Sequence, residues 1–217
     1  MNKSKLALWN EIRVRSKRIE TQMNPLTRKR TGSYYTDLTL TDVMMRELVQ
    51  HLDKENIANY KFLEPCVGTG NFVFSYLKAL DELFIDSSEF QKILANIYVA
   101  DINQTALLEY KDMLTKFADA YWNIQLDDGY FDSHLSKGLL LNVSADTLKY
   151  IRLADSLSPD LARQRFDIIA TNPPYKNLKA ERSQYDNEDD YALDKEKYSS
   201  IAKLVKTHFK YSSDGVL

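Results

Sequence analysis

The stretch FDIIATNPPY, residues 166–175, indicates the fold class and marks a candidate site. Its apolar first half, with two β-branched isoleucines, is typical of a buried strand in a parallel sheet. Pro173 and Pro174 end that strand, because proline has no N–H to donate and its φ is fixed. Asn172 precedes a proline, so its backbone is pushed away from helical geometry. The stretch therefore predicts a stiff loop at the carboxyl end of a strand, where open α/β sheets bind ligands.

Composition restricts the classes of protein that fit. The chain has 217 residues, of which 44% are hydrophobic and 28% charged, as in an ordinary soluble globular protein. A net charge of -2 gives no general attraction to polyanions, so contact with nucleic acid has to rest on local basic clusters. A single cysteine rules out an internal disulfide framework and fits a reducing cytoplasm. No apolar run is long enough for a membrane, and the scattered histidines predict no metal site.

Strands and helices alternate upstream of this loop. Strands are predicted at residues 61–64, 97–101 and 138–143. Helices are predicted at residues 71–83, 87–95 and 105–121, the last with Asn103 as its cap, and a further helical piece is predicted within 147–165. An earlier helix is predicted to run to about His51, with Thr39, Thr41 or Asp42 as its cap. Residues 122–138 look like an insertion. The alternation predicts an α/β domain with a doubly wound, mostly parallel sheet and right-handed crossovers.

The chain beyond the loop is predicted to be a polar, acid-rich mobile loop or lid at residues 176–194, followed by a helix at 196–209. The last residues, Gly215-Val216-Leu217, look like the start of another strand. We therefore expect the sheet to be truncated after its fourth strand. An unpaired edge on that strand would favour self-association or the binding of a partner.

Residues 1–30 are predicted to be a basic helical arm, and residues 31–217 a separate domain. Within the arm, Leu8, Ile12 and Ile19 share a stripe with Trp9, and basic residues lie between them. Two interpretations of these basic residues are about equally supported. They form either the solvated face of a packing helix or a contact with the backbone of a nucleic acid.

The sequence EPCVGTG, residues 64–70, lies between a predicted strand and a predicted helix. Two glycines let the backbone approach a ligand, and the helix N-terminus offers free N–H groups. The loop lacks the third glycine of the dinucleotide fingerprint, where Val73 stands, and the Gly-Lys-Ser/Thr of a P-loop. Asp101, after the next strand, could accept both hydroxyls of a ribose. S-adenosylmethionine fits this pattern, with its amino-acid end at the glycine loop and Glu64.

The Asn-Pro-Pro-Tyr loop suits methyl transfer to an amine. An exocyclic amine conjugated to an aromatic ring is a poor nucleophile. Two acceptors, the Asn172 side-chain oxygen and the Pro173 carbonyl, would favour a pyramidal nitrogen with its lone pair aimed at the methyl group, while Tyr175 stacks on the ring. A base in a duplex has to flip out to reach such a site. The structural alternative is a plain double-proline turn.

Taken together, four segments resemble motifs X, I, II and IV of the γ-class DNA adenine-N6 methyltransferases of bacterial restriction–modification and related phage-defence systems. They are TGSYYT (31–36), FLEPCVGTGNF (62–72), the strand-end Asp101 and TNPPY (171–175). The resemblance covers about residues 28–217. It implies a class I, Rossmann-like, S-adenosylmethionine-dependent fold, double-stranded DNA with a flipped adenine as the substrate, and a cytoplasmic protein of a bacterium or archaeon.

The resemblance also implies a role for individual residues. Those implied at the methionine end of the cofactor are Tyr35, Thr36, Glu64, Cys66, Gly68 and Gly70. Those implied elsewhere on the cofactor are Asp101 at the ribose, Ile102 against the adenine ring and Asp146 at the adenine amine, with Asp127 and Asp128 as weaker candidates for the last role. The implied catalytic loop is Asn172, Pro173, Pro174 and Tyr175.

This sequence departs from the family in three ways. Asp37 stands where the family usually has a proline, and residues 122–138 make the middle longer than in compact members. We also expect the family's later strands and target-recognition domain to lie outside residues 1–217. We therefore expect an N-terminal catalytic part that works with a C-terminal half, a specificity subunit or a nuclease. Two alternatives stay open, a methyltransferase acting on protein glutamine or RNA bases, and a non-catalytic fragment. Tyr34-Tyr35-Thr36 and the basic arm favour DNA.

Overall fold

The fold is a parallel β-sheet with helices between its strands, seen in a computed structural model. The structure describes residues 3–26, 28, 34–83, 85–86, 88–99, 101, 103–135, 165–172, 180–196 and 199. The predicted strand 138–143 and nearly all of the helical piece predicted within 147–165 lie outside the described residues. None of the helices in the described ranges is long and apolar enough to cross a membrane.

The helices and strands agree closely with the sequence prediction up to residue 122. The helices are α1 (Lys3–Gln22), α2 (Leu38–Gln50), α3 (Asn71–Glu82), α4 (Glu89–Ala95), α5 (Gln104–Trp122) and α6 (Asp128–Leu135), with 3-10 helices at Ile57–Asn59 and Arg182–Gln184. The strands are β1 (Phe62–Glu64), β2 (Ile97–Val99) and β3 (Ile168–Ile169). The presumed insertion at 122–138 therefore contains a helix, α6.

The three strands form one parallel sheet in the order β2-β1-β3. In this sheet Phe62 of β1 lies between Ile97 and Ile168. Because all three strands run the same way, their carboxyl ends meet at one edge, which carries the glycine loop, Asp101 and Asn172. The parallel sheet with intervening helices confirms the α/β prediction, while the doubly wound arrangement and the truncation after a fourth strand stay predictions.

Strand β3 differs from the buried strand predicted at its position. It spans two residues, and only Ile168 is buried, whereas the Ile169 side chain is 62% exposed. Successive side chains of a strand point to opposite faces, so each face receives one isoleucine. The strand is extended by backbone contacts to β1, since Ala170 N–H donates to the Leu63 carbonyl. The apolar run therefore predicted the strand correctly but not the exposure of its second isoleucine.

Helix α1 packs on the body of the protein. Leu8, Trp9 and Ile12 are buried in the same core as the sheet, as the apolar stripe predicted. Several of its cations pair with carboxylates on other helices, for example Arg15 with Glu109 at 3.0 Å. For these cations the structure supports the packing-helix interpretation. The predicted boundary at residue 30 and a nucleic-acid contact by the other cations stay predictions.

Two helices begin where side-chain caps allow it. Asp37 is the N-cap of α2 and its carboxylate accepts from Thr39 N–H at 2.8 Å, so the residue in the family's proline position starts the helix. Residues 188–196 are helical, although the sequence predicted a loop as far as residue 194 and a helix only from residue 196. Asn187 Oδ1 accepts from Asp190 N–H at 2.8 Å, and the acid-rich run becomes a first turn in which negative charge is favourable.

Gly70 is a position where a side chain should be costly. Its φ is +89°, and a Cβ there would collide with the Tyr110 ring and lie 2.9 Å from Phe74 Cε2. We expect Gly70→Ala to lower the free energy of unfolding by about 2 to 3 kcal/mol, because strain and overpacking add. Urea unfolding of both proteins measures this.

Gly129→Ala is the matched control for that substitution. Gly129 lies in α6, and the three heavy atoms nearest to an added Cβ all belong to the Asp127 side chain, the closest at 3.3 Å. Alanine is the better helix former, so we expect a change within about 1 kcal/mol of the parent protein. Equal unfolding midpoints for the two variants would contradict the packing role of Gly70.

Candidate active site

A cleft at the carboxyl edge of the sheet brings three distant segments together. Its volume is about 260 Å³, counting space open to solvent. The lining residues are Tyr34, Tyr35, Thr36, Glu64, Cys66, Val67, Thr69, Asn71, Phe72 and Asn172. The cleft thus unites described residues of three segments that the sequence pattern marks, namely 34–36 of the first, 64–72 of the second and Asn172 of the third.

Asn172 is held against the segment before α2. Its amide nitrogen Nδ2 donates to Thr36 Oγ1 at 2.9 Å and to the Tyr34 carbonyl oxygen at 3.3 Å. An amide nitrogen has two hydrogens, so these two contacts use both of them. The amide oxygen Oδ1 is then the polar atom of this side chain that can accept a hydrogen bond from a ligand.

Glu64 is a buried carboxyl group at the end of β1. The residue is 2% exposed, and its Oε2 atom has no hydrogen-bond partner in the part of the chain that the structure describes. Burial raises the pKa of the Glu64 carboxyl well above its usual value, the charge of Asp101 adds to this, and a hydrogen bond from the Val73 backbone opposes it. A buried acceptor without a partner costs free energy, so it suits a cationic ligand group.

Asp101 holds the glycine loop in place. Its Oδ2 atom accepts from Gly68 N–H at 2.6 Å, and its Oδ1 atom accepts from Asn103 N–H at 2.7 Å. The Asp101 carboxylate therefore has a structural role in the glycine loop, and its role as an acceptor for the ribose hydroxyls stays a prediction.

Tyr35 covers the glycine loop from the other side. A Cβ on Gly68, whose φ is +53°, would lie 2.8 Å from Tyr35 Cε1, so only glycine allows this close approach. The Tyr35 hydroxyl accepts from Asn103 Nδ2 at 3.4 Å. Burial raises the pKa of the Tyr35 hydroxyl, with a contribution from the Asp101 charge, so the phenol is neutral at physiological pH. Tyr35 thereby lines the cleft as an uncharged aromatic ring.

Several predicted residues are not placed in the cleft. Ile102, Asp146, Pro173, Pro174 and Tyr175 lie outside the described residues. The two glycines are next to the cleft without lining it, and Gly70 faces the packed rings of α3 and α5. Among the weaker candidates, Asp127 accepts from Tyr130 N–H at the start of α6 and Asp128 pairs with Lys111. Neither of these two aspartates lines the cleft.

Three polar residues were not predicted from the sequence, of which Thr69 and Asn71 line the cleft and Ser16 contacts both. Ser16, Thr69 and Asn71 are all buried and hydrogen-bonded to one another. Ser16 follows Ile12 by four positions, so it lies on the apolar stripe of α1. A polar residue on a buried stripe was the available signal, and it indicates a partner from elsewhere in the fold.

Comparison with known proteins gives one family. A family model described as N-6 DNA Methylase matches residues 20–208 of the 217. The matched range contains the cleft segments and extends across the sheet. No curated protein matches the sequence.

Proposed function

Because the chain belongs to the N-6 DNA methylase family, we propose that it transfers a methyl group from S-adenosylmethionine to the N6 amine of an adenine in DNA. Membership of this family supports methyl transfer to DNA. The identity of the cofactor and the choice of adenine as the methylated base are what the proposal adds. The observation that carries the proposal is the hydrogen bond from Asn172 to Thr36 at 2.9 Å. This bond joins Asn172, the first residue of the proposed acceptor loop (residues 172–175), to Thr36 of the proposed cofactor segment (residues 31–36) in one cleft.

The residues of the cleft fit this cofactor. S-adenosylmethionine supplies an electrophilic methyl group on a sulfonium, and its amino-acid end carries an ammonium group. The Oε2 atom of Glu64, which has no hydrogen-bond partner among the described residues, is a buried acceptor suited to that ammonium. Tyr35 and Thr36 would line the methionine end, and Asp101 would hold the ribose.

The acceptor amine would be positioned by Asn172. With Nδ2 held by Thr36 and Tyr34, the Oδ1 atom can accept a hydrogen bond from the adenine amine and orient its lone pair. The Pro173 carbonyl and the Tyr175 ring keep their predicted roles as second acceptor and stacking surface. An adenine in a duplex would flip out of the stack to enter the cleft. We place the activity in a restriction–modification or related defence system.

The direct test is to incubate the complete protein with duplex DNA and isotopically labelled S-adenosylmethionine. The DNA is digested to nucleosides and analysed by mass spectrometry. We expect labelled N6-methyladenine in the DNA and none in samples without protein. Labelled protein glutamine or labelled RNA, with unlabelled DNA, would reject the choice of substrate.

Asp101→Ala should weaken cofactor binding. The change removes the acceptor for Gly68 N–H and the proposed acceptor for the ribose, so we expect the dissociation constant to rise about 10- to 100-fold. Calorimetric titration with S-adenosylmethionine measures it. Asp119→Ala is the control, because the Asp119 carboxylate bonds to Gln125 and does not line the cleft. Equal affinities in the Asp101 and Asp119 variants would remove Asp101 from the site.

A further inference from the structure

We propose that Ser16 of α1 is a positioning residue that links the glycine loop to the acceptor loop. The inference rests on the proposed function, since it assumes that Asn172 positions the acceptor amine. Ser16 lies on a helix that precedes all the motifs singled out in the sequence. It contacts neither Asn172 nor the reacting atoms directly, so it would act through its hydrogen-bonded neighbours.

The first part of the link is a buried group of three polar side chains. Ser16 Oγ accepts from Thr69 Oγ1 at 2.9 Å and from Asn71 Nδ2 at 3.0 Å. Thr69 belongs to the glycine loop, and Asn71 is the first residue of α3. Ser16 is 5% exposed, and Thr69 and Asn71 are each 6% exposed, so the protein rather than bulk water supplies these bonds.

The second part of the link runs from Asn71 to the acceptor loop. Asn71 Nδ2 also donates to the Thr36 carbonyl oxygen at 2.7 Å. Thr36 Oγ1 in turn accepts from Asn172 Nδ2 at 2.9 Å. A continuous set of hydrogen bonds, which we call the Ser16 network, thus contains Thr69, Ser16, Asn71, Thr36 and Asn172.

The identity of residue 16 fits this role better than it fits helix packing. Alanine has a higher helix propensity than serine and would suit a buried stripe without needing a partner. Serine at this position supplies an acceptor for two buried donors from other segments. Trp9 and Ile12, both buried in the core, hold α1 against the body, so the Ser16 hydroxyl has a defined place.

Removing the hydroxyl should displace the acceptor loop more than it weakens the fold. Without Ser16 Oγ, one hydrogen of Asn71 Nδ2 loses its acceptor, and the Asn71 side chain is free to turn away from the Thr36 carbonyl. A buried donor without an acceptor favours such a rearrangement. Because Thr36 holds Asn172, the Oδ1 atom of Asn172 would move relative to the methyl group.

The test compares Ser16→Ala with Ser75→Ala in the full chain by single-turnover methyl transfer. Ser75 is also a buried serine on a helix, and its hydroxyl lies 2.8 Å from that of Thr41. Thr41 donates to the backbone carbonyl of Asn71 at 3.2 Å and not to its side chain, so Ser75→Ala leaves the side-chain hydrogen bonds of the Ser16 network in place. We expect Ser16→Ala to slow transfer about 10- to 100-fold, with KM for cofactor and DNA within about threefold. Ser75→Ala should leave the rate within about twofold.

Hydrogen exchange gives a second readout that needs neither cofactor nor catalysis. Ser16→Ala should speed exchange in residues 34–37, whereas Ser75→Ala should not. Ser16→Thr, which keeps the hydroxyl, should restore both slow exchange and fast transfer. A rate for Ser16→Ala equal to that of the parent, or equal slowing by Ser75→Ala, overturns the positioning role.

Failure of the proposed function can be told apart from failure of the Ser16 network. If Asn172→Ala retains full transfer, the proposed role of Asn172 is wrong whatever Ser16 does. Exchange in residues 34–37 then still reports the physical link between Ser16, Asn71 and Thr36. Faster exchange in Ser16→Ala supports that link, and unchanged exchange overturns it.

Discussion

Asn172→Ala should reduce single-turnover methyl transfer by the complete protein on the order of 100- to 1,000-fold. The change removes the Oδ1 acceptor that would orient the adenine amine and the Nδ2 donor that bonds to Thr36. Cofactor binding should stay within about twofold, since the cofactor would be held by Glu64, Asp101 and the glycine loop. Calorimetry for the cofactor and a rapid-quench assay for transfer measure the two effects separately.

Asn96→Ala is the matched control for that substitution. The Asn96 amide donates to the Ala58 carbonyl oxygen at 2.9 Å, and Asn96 does not line the cleft. The Asn96→Ala substitution removes the same type of side chain, a carboxamide, from a partly buried position just before β2. Transfer should proceed near the parent rate in this variant. Retained transfer in Asn172→Ala would assign the positioning of the amine to another group.

Glu64→Gln should weaken S-adenosylmethionine binding by about 100-fold, because the ammonium group would lose the charge of its buried partner. Glutamine has nearly the same shape and keeps an acceptor for the Val73 N–H, so packing is preserved. In the parent protein, burial raises the pKa of Glu64, and a bound cation would lower it. Binding should therefore release a proton, which calorimetry in buffers of different ionisation enthalpy detects.

The same substitution should change how stability depends on pH. Because burial raises the folded-state pKa of Glu64, the folded protein keeps a proton that the unfolded chain releases above its ordinary pKa of 4.5. The contribution of Glu64 to the free energy of unfolding thus falls as pH rises from 4.5 through the folded pKa. Glu64→Gln removes this fall, so its stability relative to the parent should increase with pH.

Urea unfolding at several pH values measures that difference. Glu89→Gln is the control, because Glu89 is an exposed carboxylate in the first turn of α4. A difference between parent and Glu64→Gln that is constant with pH would show that the Glu64 carboxyl titrates alike in the folded and unfolded chain. Unchanged cofactor affinity would separate Glu64 from the ammonium group.

The elements near the glycine loop could be predicted because their signals are local. The apolar run before Glu64, the two glycines and the apolar periodicity after Asn71 predicted a strand, a turn and a helix, and the structure has all three. Asn103 was likewise predicted as a cap, and its side chain accepts from Thr105 and Ala106 N–H. These features depend on neighbours within a few residues.

Local sequence patterns gave wrong predictions where the same short run of residues fits both a loop and the start of a helix. The acidic run at residues 187–190 was predicted to be part of a mobile loop or lid, yet the same residues suit an N-cap and a first helical turn. Thr39, Thr41 and Asp42 were considered as caps of α2, but Asp37 has that role. In both cases the composition was consistent with the observed helix, and the boundary was misjudged.

Some of the residues that line the cleft could be named from the sequence, but their contacts could not. Tyr35, Thr36, Glu64, Cys66 and Asn172 were implied by the family resemblance, and the structure gathers them in one cleft. Which atom of Asn172 faces Thr36 depends on residues 136 positions apart in the chain. Such contacts follow from the packing of whole elements, which no short pattern encodes.

The packing of α1 decides how the protein can be shortened for expression. A version that begins at residue 31 would leave out Leu8, Trp9 and Ile12, and water would reach the apolar surfaces of the core that they cover. Such a product should aggregate rather than behave as a trimmed enzyme. Lys3 and Ser4 at the start of α1 are exposed, so an affinity tag added before them leaves the helix intact.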